Sequence, residues 1–549
     1  MMKERLTLTL TLTLTTALML LTACGTKIPA SFTETDRLPR IYPDYVDVTI
    51  PVNIAPLTFE LDEEADEMIA RYAAPDGAAP EIVCAGKMQP DIDEWRELIH
   101  STLNTQHSAL TTHHPITVDV YARHGDQWTH YKPFHINVVP DSIDPYLSYR
   151  LIQPSYVSYE ALTISQRCLE NYDESVIYDN MLCGFEKEGQ CINCHSYQNY
   201  NPDRFQFHAR QKSGGTVIAY DGKVKKVNMK NDSILSAGVY PAWHPWLKLI
   251  AYSTDKTHQS FHTTDANKVE VYDEQSDLIA YDIDSGEITN LENDPEEFEV
   301  FPAWAPDGKT LYYCSAHFER QDTALSQSAE VVRRAQELKY NIYKKSFDPD
   351  TKQFGPRELV FAADSLSAVL PRVSPDGRYL VFTVGGYGYF HIWHHDADLW
   401  MVDLRGKGIV NSEEFPTGVP MDSVKRMAAA NSSLFTFHSS LNARPLTEAN
   451  SPDTESYHTW SSNSRWLVFS SRRDDGVYTR PFFAYIGADG HIGKPFELPQ
   501  ADPDFHRQFL KCYNIPEFMR GPVTIAPQTF ADVLKGGSEP VKYVRQLSQ

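Results

Sequence analysis

Positive charge is in short supply. The 549 residues hold 50 Lys and Arg against 73 Asp and Glu, a net charge of −23, which excludes a nucleic-acid or anionic-membrane partner bound through a basic face. Long apolar runs are also lacking, since after residue 21 no stretch approaches the ~20 residues a membrane-crossing helix needs. No Gly-x-Ser-x-Gly nucleophile elbow occurs, which excludes serine hydrolysis of the kind that depends on it. Cysteine is sparse, with eight residues in all. What remains suits a turn-rich β protein: 35 Pro, 27 Gly, 12% aromatic residues, and a hydrophobic fraction of 42% that can fill the cores of two or three domains.

The first residues read as an address. Met1-Met2-Lys3-Glu4-Arg5 is charged, Leu6 to Leu21 is apolar and Thr-rich, and the segment ends in Leu21-Thr22-Ala23-Cys24. This resembles a bacterial lipobox. The resemblance implies a signal peptide over 1–23, cleavage before Cys24, lipidation of that thiol, and a tether over 24–40. Gly25, where an Asp would retain the protein in the inner membrane, implies a lipoprotein on the periplasmic face of the outer membrane.

Seven cysteines then face an oxidising compartment. Cys168 and Cys183 are candidates for a disulfide, while Cys314 in Leu311-Tyr312-Tyr313-Cys314 reads as a buried thiol. Cys191-Ile192-Asn193-Cys194-His195 is a CxxCH. It is similar to the haem-attachment motif of c-type cytochromes, where two thiols form thioethers and the histidine ligates iron. That resemblance assigns Cys191 and Cys194 to the thioethers and His195 to the proximal iron ligand. A Cys191–Cys194 disulfide and half a zinc site are the alternatives, although zinc wants a second Cys/His pair that does not follow. For a sixth ligand the candidates are His208, Met229 and, favoured, His262 on a long insertion.

The chain organises around repeats. Residues 41–180 read as a small β-rich N-terminal domain with alternating strands at Val46–Val52 and Ile116–Val120 and a helix capped by Asp91. Residues 181–204 read as a linker bearing the CxxCH. From 205 to 510 four segments align: Tyr240-Pro241-Ala242-Trp243, Phe301-Pro302-Ala303-Trp304, Leu370-Pro371-Arg372-Val373 and Tyr457-His458-Thr459-Trp460. The first three are followed by Pro-type turns, such as Ser374-Pro375-Asp376-Gly377, and the last by Ser461-Ser462-Asn463-Ser464; an alternating strand completes each. These repeats resemble the TolB-like β-propeller family. The resemblance implies a mainly β fold of five to seven blades, with six expected, and a platform that binds proteins. Residues 511–549 form a C-terminal segment.

Bacteroidetes-type lipoproteins combine such a motif with a TolB-like propeller, and the sequence resembles them too. The expectation is a lipid-anchored mono-haem c protein that docks a periplasmic or envelope partner and passes one electron. The alternatives are a haem-free TolB-like binding module and a metal-dependent carbohydrate-active enzyme. The latter would use a rim of His391, His394, His395, Asp396, Asp453, Glu455, His458, Arg472 and Arg473. His113-His114 reads as a solvent-exposed pair.

Overall fold

The computed structural model describes residues 27–104, 114–154, 161–184, 191–362, 365–405 and 443–545. The expected signal peptide, Cys24 and His113 lie outside the described residues. Two compact units make up the chain. One holds the residues up to Asp47, Pro56–Val138 and Gln500–Asp504; the other holds Val48–Ala55, Val139–Pro499 and Phe505 onward.

In the first unit β1 (Glu67–Ala73) pairs with β2 (Ile82–Ala85) and with β3 (His114–His124). The far edge of β3 carries β4 (Gln127–His130) and β5 (Phe134–Val139). Alternation buries Ile116, Val118 and Val120 in the core. Helix α1 (Ile92–Asn104) starts where Asp91 Oδ1 accepts from the Asp93 and Glu94 amides at 2.9 and 3.3 Å, and it buries Trp95, Leu98 and Ile99.

The second unit is a β-propeller. Strands β6 (Tyr146–Ile152), β7 (Thr163–Cys168) and β8 (Glu174–Asp179) form one antiparallel array. The next is β9 (Cys191–Tyr197), β10 (Arg204–Arg210), β11 (Gly215–Tyr220) and β12 (Lys223–Asn228). Then come β13 (Val239–Trp243), β14 (Leu249–Phe261), β15 (Val269–Asp282) and β16 (Glu287–Glu292). They are followed by β17 (Glu297–Trp304), β18 (Thr310–His317), β19 (Asn341–Asp348) and β20 (Gln353–Phe361). A further array holds β21 (Ser367–Val373), β22 (Tyr379–Gly385), β23 (Asp398–Asp403) and β24 (Ala443–Pro445). After it stand β25 (Glu455–Trp460), β26 (Trp466–Ser471), β27 (Arg480–Tyr485) and β28 (Phe496–Glu497). The chain then returns as β29 (Cys512–Met519), which pairs antiparallel with β6. Inner strands β9, β13, β17, β21, β25 and β29 neighbour one another in that order, and β29 neighbours β9.

Each inner strand carries the same irregularity. Its ladder breaks across two residues: 194–195, 240–241, 301–302, 370–371 and 457–458, with the matching shift against β6 at 515–516. The first of each pair is left-handed: Cys194 (φ 54°), Tyr240 (48°), Phe301 (57°), Leu370 (57°), Tyr457 (49°) and Ile515 (54°). A bulge leaves a residue unpaired and bends the strand. Pro241, Pro302, Pro371 and Pro516 occupy the second place, where a residue without an N–H leaves no donor orphaned.

The strands behind the inner ones are buried on both faces. In β22, Leu380, Phe382 and Val384 enter one hydrophobic cluster and Tyr379 and Val381 the next. Central strands therefore read as continuous apolar runs.

Three expected boundaries move. Strands β6 to β8, placed by sequence within 41–180, belong to the propeller unit, and the break falls at 138–139. The CxxCH segment, expected as a linker over 181–204, is strand β9, hydrogen-bonded to β10. The segment 511–549 supplies β29, followed by α2 (Pro527–Lys535). For the first and third the cause is a pairing between distant parts of the chain, Leu147 opposing Phe518 across the β6–β29 ladder, and for the second it is the hairpin with β10. The candidate pair Cys168 and Cys183 is not bonded, and Cys183 Sγ instead meets Tyr178 Oη at 3.1 Å.

Candidate functional site

The CxxCH lies on the inner strand β9, and alternation along it divides the motif. Cys191 and Asn193 share one face; across the ladder Cys191 opposes Arg210 and Asn193 opposes His208. All four line a cavity of about 1090 Å3. Beyond Asn193 the bulge breaks the alternation. Cys194 and His195 face a neighbouring channel of about 40 Å3, bordered by Pro241, Phe301, Pro302, Leu370 and Pro371. Cavity and channel share Tyr240, Tyr457 and Ile515, so they adjoin along the ring axis. The channel in turn shares Ser196, Pro241, Arg372 and Glu517 with a third space of about 470 Å3, walled by Trp243, Trp304 and Trp460.

The large cavity is cationic in an acidic chain. Arg150, Arg210, Lys212 and Lys230 line it against one carboxylate, Asp255. Burial, then repulsion from Asp273, pushes Asp255 well up toward its neutral form. Burial likewise raises Asp273 to about 7, although Tyr340 Oη and Ser276 Oγ donate to it at 2.8 and 3.2 Å. Apolar walls come from Val239, Val271, Tyr389, Phe390 and Phe261, the last of these 55% exposed.

Arg150 braces the motif. It is buried, and its Nη1 donates to the Ile192 carbonyl at 3.2 Å and to Asn193 Oδ1 at 2.5 Å. Asn193 Oδ1 also accepts from the Cys194 amide at 2.9 Å, which holds the entry to the bulge. Cys191 and Cys194 are thiols, and burial pushes the Cys194 thiol up. His195 is 1% exposed and neither ring nitrogen completes a hydrogen bond. Burial and Arg150 push its pKa down to about 3, with only a weak opposing pull from the Ser148 main chain, so the imidazole is neutral.

His208 sits on β10 in the cavity wall, with Nδ1 3.3 Å from Thr216 Oγ1. Burial, Arg210 and Lys230 push it down to about 3. Met229 lines the same cavity, and its sulfur accepts from Thr216 Oγ1 at 3.7 Å. His262 follows β14, its amide donating to the Lys268 carbonyl at 2.9 Å; Phe261, not His262, borders the cavity.

The residues of the alternative metal rim make other contacts. His458 Nε2 reaches the Val381 carbonyl at 3.0 Å, and His391 Nε2 reaches the Tyr387 carbonyl at 3.2 Å. His394 pairs with Glu270 at 2.7 Å, His395 with Asp453 at 2.8 Å, and Glu455 with Arg473 at 3.0 Å. Arg472 Nε donates to the Ile392 carbonyl at 2.7 Å. His458, His395 and Arg472 tie the last array to the one before it, the other contacts are local or longer-range ties, and among the described residues no three His, Cys, Asp or Glu gather as metal ligands.

Sequence reasoning missed Arg150, Asn193, Arg210, Lys212, Lys230 and Asp255. Arg210-Gln211-Lys212 directly after an alternating strand was a legible signal; Arg150, brought in by a distant array, left none.

A ring of inner strands around an axial cavity defines a β-propeller protein. No family model matches the chain, and no curated protein matches it. It is similar in fold to the solved prolyl oligopeptidase B from Galerina marginata, bound to a 35mer hydrolysis and macrocyclization substrate. There the TM-score is 0.33 at 9% identity, over 80% of this chain and 53% of that one, so the chain spans about half that protein's length. A second likeness is to the β-propeller domain of the Trilobed protease from Pyrococcus furiosus, with TM-score 0.27 at 10% identity, over 71% of this chain and 95% of that domain. At these scores neither likeness bears on function.

Proposed function

We propose that this protein is a six-bladed, TolB-like propeller of the bacterial envelope that carries one haem c in its cationic cavity and passes an electron to an envelope protein partner. The six inner strands, each with its bulge, support the blade count. Leu21-Thr22-Ala23-Cys24 supports a lipid anchor at Cys24.

One observation carries the haem reading: the thiol of Cys191, the imidazole of His208 and the cations Arg150, Arg210, Lys212 and Lys230 meet on one cavity of about 1090 Å3. The cavity suits the group in volume, walls and charge, whereas the motif is split between the cavity and the channel. The volume lies at the upper end of ordinary cofactor pockets, which run to roughly 1,000 Å3. The walls are apolar around Tyr240, Tyr389 and Phe390, and the cations match two propionate carboxylates. Cys194 and His195 do not line the cavity; they face the adjoining channel of about 40 Å3. By the motif, Cys191 and Cys194 would hold the group and His195 would ligate the iron. The bound group would supply one-electron redox chemistry. Arg210, Lys212 and Lys230 would orient the carboxylates, and Tyr389 and Phe390 would exclude water.

A haem-free binding module is the second reading, favoured by one observation. Cys194-His195 occupies the bulge that Tyr240-Pro241, Phe301-Pro302, Leu370-Pro371 and Tyr457-His458 fill elsewhere. A pyridine haemochrome spectrum on protein exported with a c-type maturation system decides between them. Covalent haem that disappears in the Cys191→Ala/Cys194→Ala variant supports the first reading; an exported, folded and haem-free protein overturns it.

A further inference from the structure

We infer that the large cavity recognises a soluble organic polyacid, two or more carboxylates on an apolar body, held without a covalent bond by the cations at one end of the β9–β12 array. This goes beyond the haem reading and does not rest on it, because the cations concerned lie outside the CxxCH.

Placement comes from the ladders. Arg210 ends β10 opposite Cys191, and Ala209 opposes Gly215 across the turn that carries Lys212. Thr216 opposes Val227, so Lys230, just past the end of β12, stands at the same end of the array. Arg150 joins them from β6, and all four border the cavity of about 1090 Å3.

Little on the chain answers these charges. Among the described residues neither Arg210 nor Lys230 forms an ion pair with a carboxylate. Arg150 is 4% exposed, yet its Nε has no hydrogen-bond partner among the described residues. Asp255, the one carboxylate in the wall, is pushed toward its neutral form by burial and by Asp273. A concave wall of one sign focuses ions of the other. A buried guanidinium N–H without an acceptor costs free energy that a carboxylate oxygen recovers.

Size and walls select the class of anion. A cavity of about 1090 Å3 is far larger than an inorganic anion fills and matches pockets that enclose whole organic molecules. Its apolar lining comes from other arrays: Val271 on β15, Tyr389 and Phe390 after β22, and Phe261 at the end of β14. A ligand that satisfies both sets carries acid groups on one part and an apolar body on the other. One carboxylate would leave most of the cations unanswered, whereas two or more match them.

The test is calorimetric titration of the full-length chain, exported and matured, with naphthalene-2,3-dicarboxylate, beside 2-naphthoate and inorganic phosphate. A haemochrome spectrum is taken on the same preparation, since haem propionates would compete for the same cations. The dicarboxylate should bind about tenfold more tightly than either control. Arg210→Gln/Lys230→Gln, which alters two exposed side chains, should weaken it by about tenfold, as loss of a charge-assisted hydrogen bond does. Should that variant fail to fold, added salt on wild type reads the same charges, and affinity should fall with ionic strength. No binding of the dicarboxylate, binding no tighter than the controls, or binding that variant and salt leave unchanged overturns the inference. Covalent haem without binding leaves the haem reading standing, binding to a haem-free protein overturns that reading alone, and neither haem nor binding overturns both.

Discussion

Asn193 and His208 stand opposite each other across the β9–β10 ladder, and this pairing decides which side chains of the CxxCH region share the cavity. Asn193 is positioned in turn by Arg150, a buried guanidinium from another array. The motif is thus held from two directions, by its own hairpin and by the strand β6 that closes the ring.

Arg150→Ala should accordingly be costly away from any cofactor. It removes two hydrogen bonds, to Ile192 O and Asn193 Oδ1, from a side chain only 4% exposed. Charged-donor hydrogen bonds contribute roughly 1.5–3 kcal/mol each, so a loss of about 3 kcal/mol is expected. Urea unfolding measures it, and a change below ~1 kcal/mol would show that Arg150 does not brace the bulge.

Much of the fold was legible, for a physical reason. Tyr240-Pro241, Phe301-Pro302 and Leu370-Pro371 are local signals, since a left-handed residue followed by proline satisfies a bulge without help from elsewhere. Asp91 could likewise be read as a helix start because its cap reaches only Asp93 and Glu94. What could not be read was the closure of the ring, because Tyr146 finds Met519 through pairing across the whole chain. The site suffered the same way. Cys191 was legible from spacing, yet the bulge that separates it from Cys194 and His195 shows only when the repeats are aligned through 194–195.

Deletion of 512–549 tests that closure. Without β29, strand β6 loses one of its two partners and the inner circuit loses the neighbour joining β25 to β9. The freed edge of β6 is then exposed and unpaired. The truncated protein should lose its cooperative thermal transition and bind ANS. A transition as sharp and as high as that of the full chain would show that the ring stands without its last strand.

Acid should unfold the protein through its buried histidines. Burial pushes His458 down to about 3, with Arg372 adding to the shift and the Val381 carbonyl opposing it. The unfolded imidazole takes its proton near 6.5. As pH falls through 6.5 the unfolded chain gains a proton that the folded chain refuses until about 3, so stability is lost across that window. His458→Gln, which can still donate to Val381 O, removes one such proton. Between pH 4 and 6 its unfolding free energy should fall less steeply than that of wild type, by about 1.4 kcal/mol per pH unit. Parallel slopes would mean that His458 is protonated in the fold.

The bulges make the sharpest prediction, because there the larger residue should be the cheaper one to remove. Leu370 is held at φ 57° and is 9% exposed, while its neighbour Val369 is fully buried with no left-handed backbone. A left-handed conformation costs an L-residue about 1–2 kcal/mol that glycine does not pay. Both substitutions lose contacts and add backbone entropy to the unfolded chain, but Leu370→Gly alone also relieves left-handed strain. Leu370→Gly should be the milder of the two by about 1 kcal/mol in denaturant unfolding, although leucine carries the extra methylene. If it proves the more damaging, the left-handed turn is comfortable for leucine. The channel contacts of Leu370, rather than its backbone, would then hold the inner strand in place.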